Sequence, residues 1–459
     1  MSVLVYSCAT DVAYEDLNRD PNNPTEVSSD ALFTSATVSL FDQMESTNVN
    51  TNIFRLFAQY WTETTYVDES NYDLVTRHIP LNHWSEMYRD VLYDLQDAKI
   101  LADTDAKKGM ITVLEVYTWQ QLVDSFGDIP YTNALQGKEI PTPSYDDASS
   151  IYQDLATRIN DAIGMLNPSE EGYNDLIYNG DINQWIKFAN SLKLKIGMRL
   201  ADYDSAAAKD LAEEAFSGGL FTSNSDNATI SYQTSNPNTN PLWSDLVESG
   251  RSDFVAANTI IDYMNELEDP RRPIYFAENL GSDTYLGGTY GDNNTFGDYT
   301  HVGEKMHDPT FRGVLLEYSE VEFLLAVARE QNFSVGGEAD EHYTNGITAN
   351  MEEWGVEAAD IATYLAKTEV DYNTASGTWR EKIGYQFWLA MYNRGFEGWS
   401  VFRQYDAPVF NIPVVSGLPV PNRFTYPGAE QTLNLTNYNA ASSAIGGDLM
   451  STKIFWDIN

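Results

Sequence analysis

The sequence predicts a mainly α-helical protein in which the helices pack together as hairpins. Apolar residues recur at intervals of three and four along several long segments, and short turns separate those segments. A single helix cannot bury such a stripe alone, so neighbouring helices must pack side by side. The composition also changes between residues 220 and 310, which predicts a loop-rich layer carried by the helices.

The first half of the chain contains four stripes with the spacing of one helix face. The first comprises Trp84, Tyr88, Val91, Leu95 and Ala98; the second begins with Met110, Leu114 and Tyr117; the third comprises Ile151, Leu155, Ile159, Ala162 and Leu166; and the fourth comprises Trp185, Phe188, Leu192, Ile196 and Leu200. Each stripe predicts an amphipathic helix of about 15 to 20 residues.

The second half repeats this pattern. The apolar segment "VEFLLAVAREQ" is followed by a Gly-Gly turn and then by "ADEHYTNGITANMEEW". In the latter segment, Ala339, Tyr343 and Ile347 form the small, aromatic and aliphatic ladder of a tetratricopeptide second helix. A further helical pair is predicted for residues 378–404. The strict tetratricopeptide signature is absent, so the pattern predicts tetratricopeptide-like hairpins.

Residues 220–310 are rich in Gly, Asn, Ser, Thr and Asp, which favours loops. One helix is predicted within them, at about 253–267, and the sequence "DPRRP" ends it. The segment carries aromatic rings at Trp243, Tyr275, Tyr285, Tyr290, Phe296 and Tyr299. The last fifty residues are rich in Pro and Asn, and we expect them to pack irregularly over the helices.

The segment "YWTETTYVDESNYD", residues 60–73, contains four aromatic rings and four carboxylates at neither helical nor strand period. We expect an ordered surface loop in which Tyr60, Trp61, Tyr66 and Tyr72 are partly exposed. Exposed rings with polar neighbours suit ligands that have an apolar face and a hydroxylated edge, as sugars do. The alternative is that some of these rings fold back onto the protein.

The charge of the chain is strongly negative. There are 27 Lys and Arg residues against 68 Asp and Glu residues, which gives a formal charge of −41 and a pI near 4.2. Such a surface repels phosphate backbones, so nucleic-acid binding is excluded as a function class. It also disfavours polyanionic ligands unless a local basic pocket overrides the field.

Cys8 is the only cysteine, which excludes an internal disulfide and a cysteine-rich metal site. The preceding "VLVYS" is typical of the end of a lipoprotein signal peptide, so we expect Cys8 to carry a lipid anchor. Only seven residues precede it and none is basic, so we expect the recorded start to be truncated or misassigned. The most apolar later stretch is interrupted by Glu317, Glu320 and Glu322, which argues against a membrane span.

A calcium-binding loop is suggested by Asp16, Asn18 and Asp20, which occupy positions one, three and five of the loop pattern. However, Pro21 stands where the pattern requires glycine, and Val27 stands where it requires the bidentate glutamate. We therefore interpret the segment as an extended tether that ends in a helix N-cap.

No catalytic arrangement is recognisable. The five histidines, His78, His83, His301, His307 and His342, lack metal-ligand spacing, and there is no nucleophile elbow or phosphate-binding glycine loop. Arg394, Glu397, Trp399 and Arg403 share a helix face, which is better explained as an ion-paired helix packed by its Trp than as a site. The sequence therefore predicts no catalytic residue, no metal and no cofactor.

Several segments together resemble one family. In chain order these are "DLNRDPNNPTEV", "FGDIPYTNAL", "WIKFANSLKLKIGMRLAD", "EVEFLLAVARE", "HYTNGITANMEEWGV", "QFWLAMYNRGFEGWSVFRQ" and "RFTYPGAEQTLN". They are similar, in the same order, to segments of the SusD/RagB outer-membrane lipoproteins of Bacteroidetes, and the similarity covers nearly the whole chain.

This resemblance implies four tetratricopeptide-like hairpins that carry an irregular ligand-binding layer. It implies a tether at residues 1–26 and a single domain at 27–459. Within that domain we expect hairpins at about 27–202 and 311–404, a loop-rich insertion at about 220–310, and an irregular segment at 405–459. It further implies a lipid-anchored, noncatalytic cell-surface protein that captures glycans for a SusC-like TonB-dependent transporter.

In this family, loops after the early helices and loops of the middle insertion build the binding surface. The predicted contacts to a neutral glycan are therefore Trp61, Tyr66, Tyr72, Trp243, Tyr285, Tyr290, Phe296 and Tyr299. Two alternatives stay open. The same scaffold could capture peptides or another nutrient, or the protein could be a glycan-degrading enzyme with two carboxylates across a cleft.

Overall fold

A computed structural model describes residues 27–458 of the chain. The predicted tether, Cys8 as the predicted site of the lipid anchor, and the rejected calcium loop around Asp16 lie outside the described residues. The helices of the first half are α1 (Ser29–Glu45), α2 (Phe54–Phe57), α3 (Ile79–Ser85), α4 (Tyr93–Leu101), α5 (Asp105–Phe126), α6 (Ala148–Met165), α7 (Ile182–Arg199) and α8 (Ser205–Gly218). A π-helical segment, Glu86–Leu92, joins α3 to α4.

The second half has the same helical character. Its helices are α9 (Pro241–Trp243), α10 (Asn258–Glu266), α11 (Arg272–Tyr275), α12 (Tyr318–Glu330), α13 (Ala339–Trp354), α14 (Ala358–Leu365), α15 (Trp379–Ala390), α16 (Gly395–Tyr405), α17 (Glu430–Leu433) and α18 (Leu435–Ala444). The strands of the described chain are short: β1 (Trp61–Glu63), β2 (Ala228–Ile230), β3 (Phe254–Ala256) and β4 (Gly313–Leu316).

Four helical hairpins form the scaffold, which confirms the predicted fold class. They are the pairs α5 with α6, α7 with α8, α12 with α13, and α15 with α16. Small residues bring the two helices of a hairpin close together: a Cβ on Gly197 would lie 2.9 Å from the Leu211 Cβ, and a Cβ on Gly346 would lie 3.0 Å from the Phe323 ring. The predicted stripes face inward, as the buried Ile151, Leu155 and Ile159 of α6 illustrate.

The helices begin where their sequences supply a side-chain cap. Thr104, Asp147, Asp181 and Asp204 precede α5, α6, α7 and α8, and each accepts a hydrogen bond from a backbone N–H of the first turn. At the start of α15, Thr378 and Glu381 form a capping box. These contacts fix the hairpin turns and so determine where the intervening loops leave the scaffold.

A buried charge network joins three of the hairpins. Lys195 of α7 lies 3.2 Å from Glu320 of α12 and also pairs with Glu397 of α16, while Arg394 pairs with Glu320 and lies 3.6 Å from Glu397. All four side chains are buried, so their charges persist only because each is paired. The interpretation of this helix as ion-paired is confirmed, and its partners come mainly from other hairpins.

Three predictions about secondary structure are wrong in part. Residues 61–63, expected to be loop, form β1, and residues 254–256, expected to be helix, form β3. The two strands pair antiparallel, with Trp61 opposite Ala256 and Glu63 opposite Phe254. A three-residue strand is specified by its partner's backbone, so the side-chain pattern does not reveal it. The C-terminal segment, expected to be irregular, also contains the helices α17 and α18.

A second antiparallel pair closes the base of the middle insertion. Strand β2 precedes the insertion's main loops and pairs with β4, which follows them; Ala228 lies opposite Leu316, and Ile230 lies opposite Gly313. The loops between these strands form a layer beside the hairpins. Among the described residues, no helix has both the length and the apolar character needed to cross a membrane.

Candidate ligand-binding groove

The loop layer contains two adjoining cavities that share Lys305. The first is open, has a volume of about 590 Å³, and is lined by Pro273, Ile274, Phe276, Ala277, Glu278, Asn279, His301, Glu304 and Lys305. The second has a volume of about 330 Å³ and is lined by Lys305, Asp308, Thr310, Phe311, Arg312, Val314, Glu317, Glu353, Trp354 and Asn393. We call the two cavities together the groove.

Backbone pairing builds the floor of the first cavity. Phe276 and Val302 form an antiparallel bridge, and the N–H of Ala277 donates to the carbonyl of His301 at 3.0 Å. The N–H of Gly303 donates to the carbonyl of Tyr275 at 2.9 Å. A Cβ at Gly303 would lie 2.5 Å from the carbonyl oxygen of Ile274, so this close approach requires glycine. The groove is therefore shaped by ordered backbone.

Aromatic side chains form one wall of the second cavity. Trp354 is the last residue of α13, which ends at Gly355 in the left-handed conformation, and its ring centroid lies 6.0 Å from that of Phe311. The Lys305 ammonium donates to the Trp354 carbonyl at 2.6 Å and lies 5.4 Å from the Trp354 ring. The Asn240 side chain fixes the other ring by donating to the Phe311 carbonyl at 2.7 Å.

The groove carries charges of both signs. Arg312 forms an ion pair with Glu353. Burial lowers the pKa of Lys305, and the nearby Arg312 guanidinium lowers it further. Burial raises the pKa of Glu317 above its usual range. The groove therefore places charged hydrogen-bond donors and acceptors beside aromatic surface, and its carboxyl groups outnumber its cations.

Three of the residues predicted to contact ligand lie next to groove residues, although their rings are not part of the lining of either cavity. The Phe296 ring stacks on His301, with centroids 3.8 Å apart and an interplanar angle of 16°. The Tyr299 carbonyl accepts a hydrogen bond from Asn279 at 2.9 Å. Trp243 belongs to α9, which packs against the turn Glu304–His307. All three side chains are half-buried, so a face or an edge of each ring remains accessible.

Tyr66 lies elsewhere on the loop layer. Its side chain is 68% exposed, and its backbone is left-handed with φ of 55°. It lies near Arg251, whose pKa is raised mainly by a hydrogen bond to Asp253 and slightly by Tyr66. Arg251 and Asp253 line a smaller cavity of about 240 Å³. Tyr66 is therefore an exposed ring, as expected, but the structure does not bring it into the groove.

The expectation that the other rings are exposed is wrong. Trp61, Tyr72 and Tyr290 are at most 2% exposed, Tyr285 is 7% exposed, and Tyr60 is fully buried. Their polar atoms are satisfied inside the protein. The Tyr290 hydroxyl donates to the Leu56 carbonyl at 2.7 Å, and the Tyr72 hydroxyl accepts from the Gln59 amide at 3.3 Å. In Tyr285, the ring packs against the Arg272 guanidinium at 5.2 Å.

The sequence analysis missed four groove residues that the structure brings together: Lys305, Phe311, Arg312 and Trp354. Trp354 ends the segment "ADEHYTNGITANMEEW", for which the sequence predicted only a helix. Its position directly before Gly355 was the available signal, because a helix C-terminus opens onto a loop. Within residues 27–458, no group of three or more His, Cys, Asp and Glu side chains is arranged to hold a metal ion.

Comparison with known proteins identifies the family. Residues 21–427 match the family model SusD-like, which is described as starch-binding and associating with the outer membrane. The chain therefore belongs to the SusD-like family, which confirms the resemblance seen in the sequence. No curated protein matches the sequence.

Solved structures share the fold over nearly the full length of both chains. A chitin-binding protein aligns with a TM-score of 0.82 at 26% identity, covering 94% of this chain and 100% of its own. A chitin-binding SusD homologue from Flavobacterium johnsoniae aligns with a TM-score of 0.81 at 22% identity, covering 93% and 99%. A SusD homologue from Bacteroides uniformis aligns with a TM-score of 0.79 at 26% identity, again covering 93% and 99%.

Proposed function

We propose that this protein is a noncatalytic cell-surface lipoprotein that captures a neutral oligo- or polysaccharide and delivers it to a SusC-like TonB-dependent transporter. Cys8 would carry the lipid that holds the protein at the outer membrane. Membership of a family described as starch-binding and outer-membrane-associated supports the glycan and the location.

The groove is the observation that carries the glycan half of the proposal. Phe296 stacked on His301 borders one cavity, and the half-buried Phe311 ring lines the other, where it packs against the largely buried Trp354. Between them lie Asn279 and Lys305, whose side chains can donate hydrogen bonds to sugar hydroxyls. Ring faces for the C–H side of a sugar, with donors for its edge, are the chemistry that an oligosaccharide requires.

Chitin and starch oligosaccharides are the first ligands to test. A 26%-identical relative is named as chitin-binding, and the family description names starch. The groove accommodates a chain of several sugars because its open cavity of about 590 Å³ continues into the second one. We favour chitin oligosaccharides, since the chitin-binding relative is similar over 94% of this chain.

Isothermal titration calorimetry of the purified protein tests the proposal. We expect binding of a chitin or starch hexasaccharide, with each stacked ring contributing about 1 to 2 kcal/mol before association costs. Phe296→Ala and Trp243→Ala should each weaken binding at least about fivefold, which corresponds to about 1 kcal/mol. Tyr93→Ala, on the exposed surface of α4 and outside the groove lining, is the matched control and should bind like the wild type.

Two outcomes would contradict this assignment. Equal affinity in all four proteins would show that the groove is not the glycan site, although the protein binds glycan. Binding of short peptides in a mixed panel, with no affinity for any glycan, would favour peptide capture on the same scaffold.

A further inference from the structure

Glu63 and Glu69 lie at the two ends of a loop whose tip is exposed. Glu63 is the last residue of β1, and the backbone N–H and the hydroxyl of Ser70 donate to the same oxygen of its carboxyl group, at 2.8 and 2.7 Å. The chain therefore leaves β1 at Glu63 and returns to it at Ser70. We call residues 64–69 the rim loop, and we call the cluster of Glu63, Glu69 and Ser70 its neck.

The carboxyl groups of Glu63 and Glu69 are buried against each other. Glu63 is 2% exposed, Glu69 is not exposed, and the two side chains are in hydrogen-bonding contact. Among the described residues, no donor reaches the buried oxygen Oε2 of Glu69. Two carboxylates cannot form a hydrogen bond with each other, because neither carries a proton, whereas a carboxylic acid donates to a carboxylate. One proton shared by the pair therefore gives each group a hydrogen-bond partner.

The groups that surround the pair favour one shared proton. Arg77 is paired with the other oxygen of Glu69 and balances one negative charge at the neck. From other elements, the apolar Phe254 lies opposite Glu63 on β3, and Tyr290 of the middle insertion interacts with Glu63 as a neutral phenol whose pKa is raised by burial. A metal ion would need further ligands, and no third His, Cys, Asp or Glu side chain of the described chain joins the pair.

The neck also supports one wall of the cavity of about 240 Å³. Arg77, which the neck holds through Glu69, lines this cavity together with Arg251 and Asp253, and the last two form an ion pair with each other. Thr64, the first residue of the rim loop, is bound to the same wall, since its N–H donates to the Asp253 carbonyl at 2.9 Å. A change at the neck therefore acts on both the cavity and the rim loop.

The tip of the rim loop depends on the neck for its conformation. Thr65, Tyr66 and Asp68 are exposed, so the tip itself buries little surface. Tyr66 has a left-handed backbone with φ of 55°, a conformation that a non-glycine residue keeps only where surrounding contacts impose it. The neck supplies such contacts, because it closes the loop beside these exposed residues.

We propose that Glu63 and Glu69 share one proton and form a pH-sensitive switch, which holds the rim loop and Arg77 in place while the proton is present and releases them when it is lost. Loss of the proton leaves two negative charges in contact at a buried site, and their repulsion opens the neck. The switch is independent of the proposed function, because it concerns how the loop layer is held and not what the groove binds.

The direction of the switch follows from the pKa of Glu63. Burial and the contact with Glu69 raise this pKa well above 4.5 in the folded protein. Because the pKa is higher in the folded protein than in the unfolded chain, the stabilisation by the shared proton is fully present below about pH 4.5 and is lost as the pH rises through the raised value. The rim loop should therefore be closed in mildly acidic solution and should open more often in alkaline solution.

Hydrogen exchange of the full-length protein, measured by mass spectrometry, tests the switch. Peptides that include Ser70 report the opening of the neck, because the Ser70 N–H is bound to Glu63. The rate at each pH is divided by the intrinsic exchange rate of the same peptide, so that only the opening of the structure is compared. Glu63→Gln replaces the shared proton with an amide that donates to Glu69 at every pH. Asp42→Asn is the matched control, because it removes a carboxyl group of α1 whose pKa is also raised by burial, to about 6.

In the wild type and in Asp42→Asn, we expect the protection of these peptides to fall at least about tenfold between about pH 5 and pH 9, because each pH unit below the raised pKa changes the opening equilibrium by up to about tenfold. In Glu63→Gln, the protection should change less than about twofold over the same range. Wild-type protection that is independent of pH, or an equal fall in Glu63→Gln, would overturn the switch.

Glu69→Gln keeps the proposal testable if Glu63→Gln does not fold. Its amide can donate to Glu63 while its oxygen still accepts from Arg77, so this variant should also lose the pH dependence. A fall in protection equal to that of the wild type would overturn the proposal here too. A melting curve verifies that each variant folds, and a flat wild-type profile would decide against the switch without any variant.

Discussion

The indole N–H of Trp61 donates a hydrogen bond to the hydroxyl oxygen of Tyr392 at 2.9 Å. The Trp61 ring is fully buried, with the Arg55 guanidinium 5.4 Å away and the Phe254 ring 5.7 Å away. Tyr392 lies between α15 and α16, so this bond attaches β1 to the fourth hairpin. The ring that looked most like a sugar platform in the sequence is therefore part of the core.

Replacing Trp61 with alanine should destabilise the protein. The change removes a large buried side chain and leaves the Tyr392 hydroxyl without its donor, so we expect the free energy of unfolding to fall by about 3 to 5 kcal/mol in urea titrations. Tyr66→Ala is the control, because its exposed ring should change stability by less than about 0.5 kcal/mol. Unchanged stability combined with weaker glycan binding in Trp61→Ala would restore its assignment as a platform.

Glycan affinity should depend little on salt. A neutral ligand makes no net charge–charge interaction with the ionised groups of the second cavity, Lys305 and Arg312 among them, so added salt has little to screen. We expect the dissociation constant to change less than about twofold between roughly 20 mM and 0.5 M NaCl, where the Debye length falls from about 20 Å to a few Å. A tenfold weakening that disappears in Lys305→Ala would instead indicate an anionic ligand.

The stability contribution of Glu45 should depend on pH. Glu45 accepts hydrogen bonds from the Val314 N–H at 2.9 Å and the Asn393 amide at 3.1 Å, beneath the second cavity. Burial raises its pKa from 4.5 to about 7, although Arg55 opposes this shift. Because the pKa is higher in the folded state, the contribution of this group is fully present below about pH 4.5 and is lost as the pH rises through about 7.

The comparison with Glu45→Gln isolates that contribution. A pKa shift of this size corresponds to roughly 3 kcal/mol. The wild type should lose this stability as the pH rises, whereas Glu45→Gln has no group to titrate at this position. The unfolding free energy of the variant minus that of the wild type should therefore increase by about 1 to 3 kcal/mol between about pH 5 and pH 8. Urea titrations at several pH values measure it. A constant difference across this range would show that Glu45 does not change its protonation on folding.

The protein should not cleave the glycan that it binds. In the second cavity Glu353 is held in an ion pair with Arg312, so a hydrolase would have to use Glu317, whose pKa is raised by burial, and Asp308 as its acid and base. Incubation for a day with chitin or starch hexasaccharide should release no new reducing ends. Cleavage that Glu317→Gln abolishes would establish a hydrolase and refute the noncatalytic proposal.

The helical scaffold was predictable because its signal is long and local. The stripes of α6 and α7 follow one face of a helix for several turns, and both helices begin at capping aspartates. The strands β1 and β3 were not predictable, because three residues carry too little pattern and each strand is specified by pairing with a partner almost two hundred residues away.

The groove was only partly predictable for a related reason. Composition located the loop layer and three of the rings that border the groove, Trp243, Phe296 and Tyr299. It could not separate these from Tyr290, whose hydroxyl binds a carbonyl from the distant Leu56. Whether an aromatic side chain in a loop is buried depends on contacts with residues that are distant in the sequence. Those contacts cannot be predicted from residue type or from local spacing.

Because β2 pairs with β4, the loops between these two strands start and end at neighbouring positions and form one insertion. The chain enters and leaves that region at adjacent positions, so its length and composition can change while the hairpins on either side keep their places. Most of the residues that line the groove lie between β2 and β4, and only a few, such as Trp354, belong to the helices of the scaffold. If the groove is the sugar site that we propose, grafting the corresponding region of a relative between Ile230 and Gly313 should transfer sugar preference, provided that the graft keeps the pairing of β3 with β1 and the buried contact of Tyr290 with Leu56.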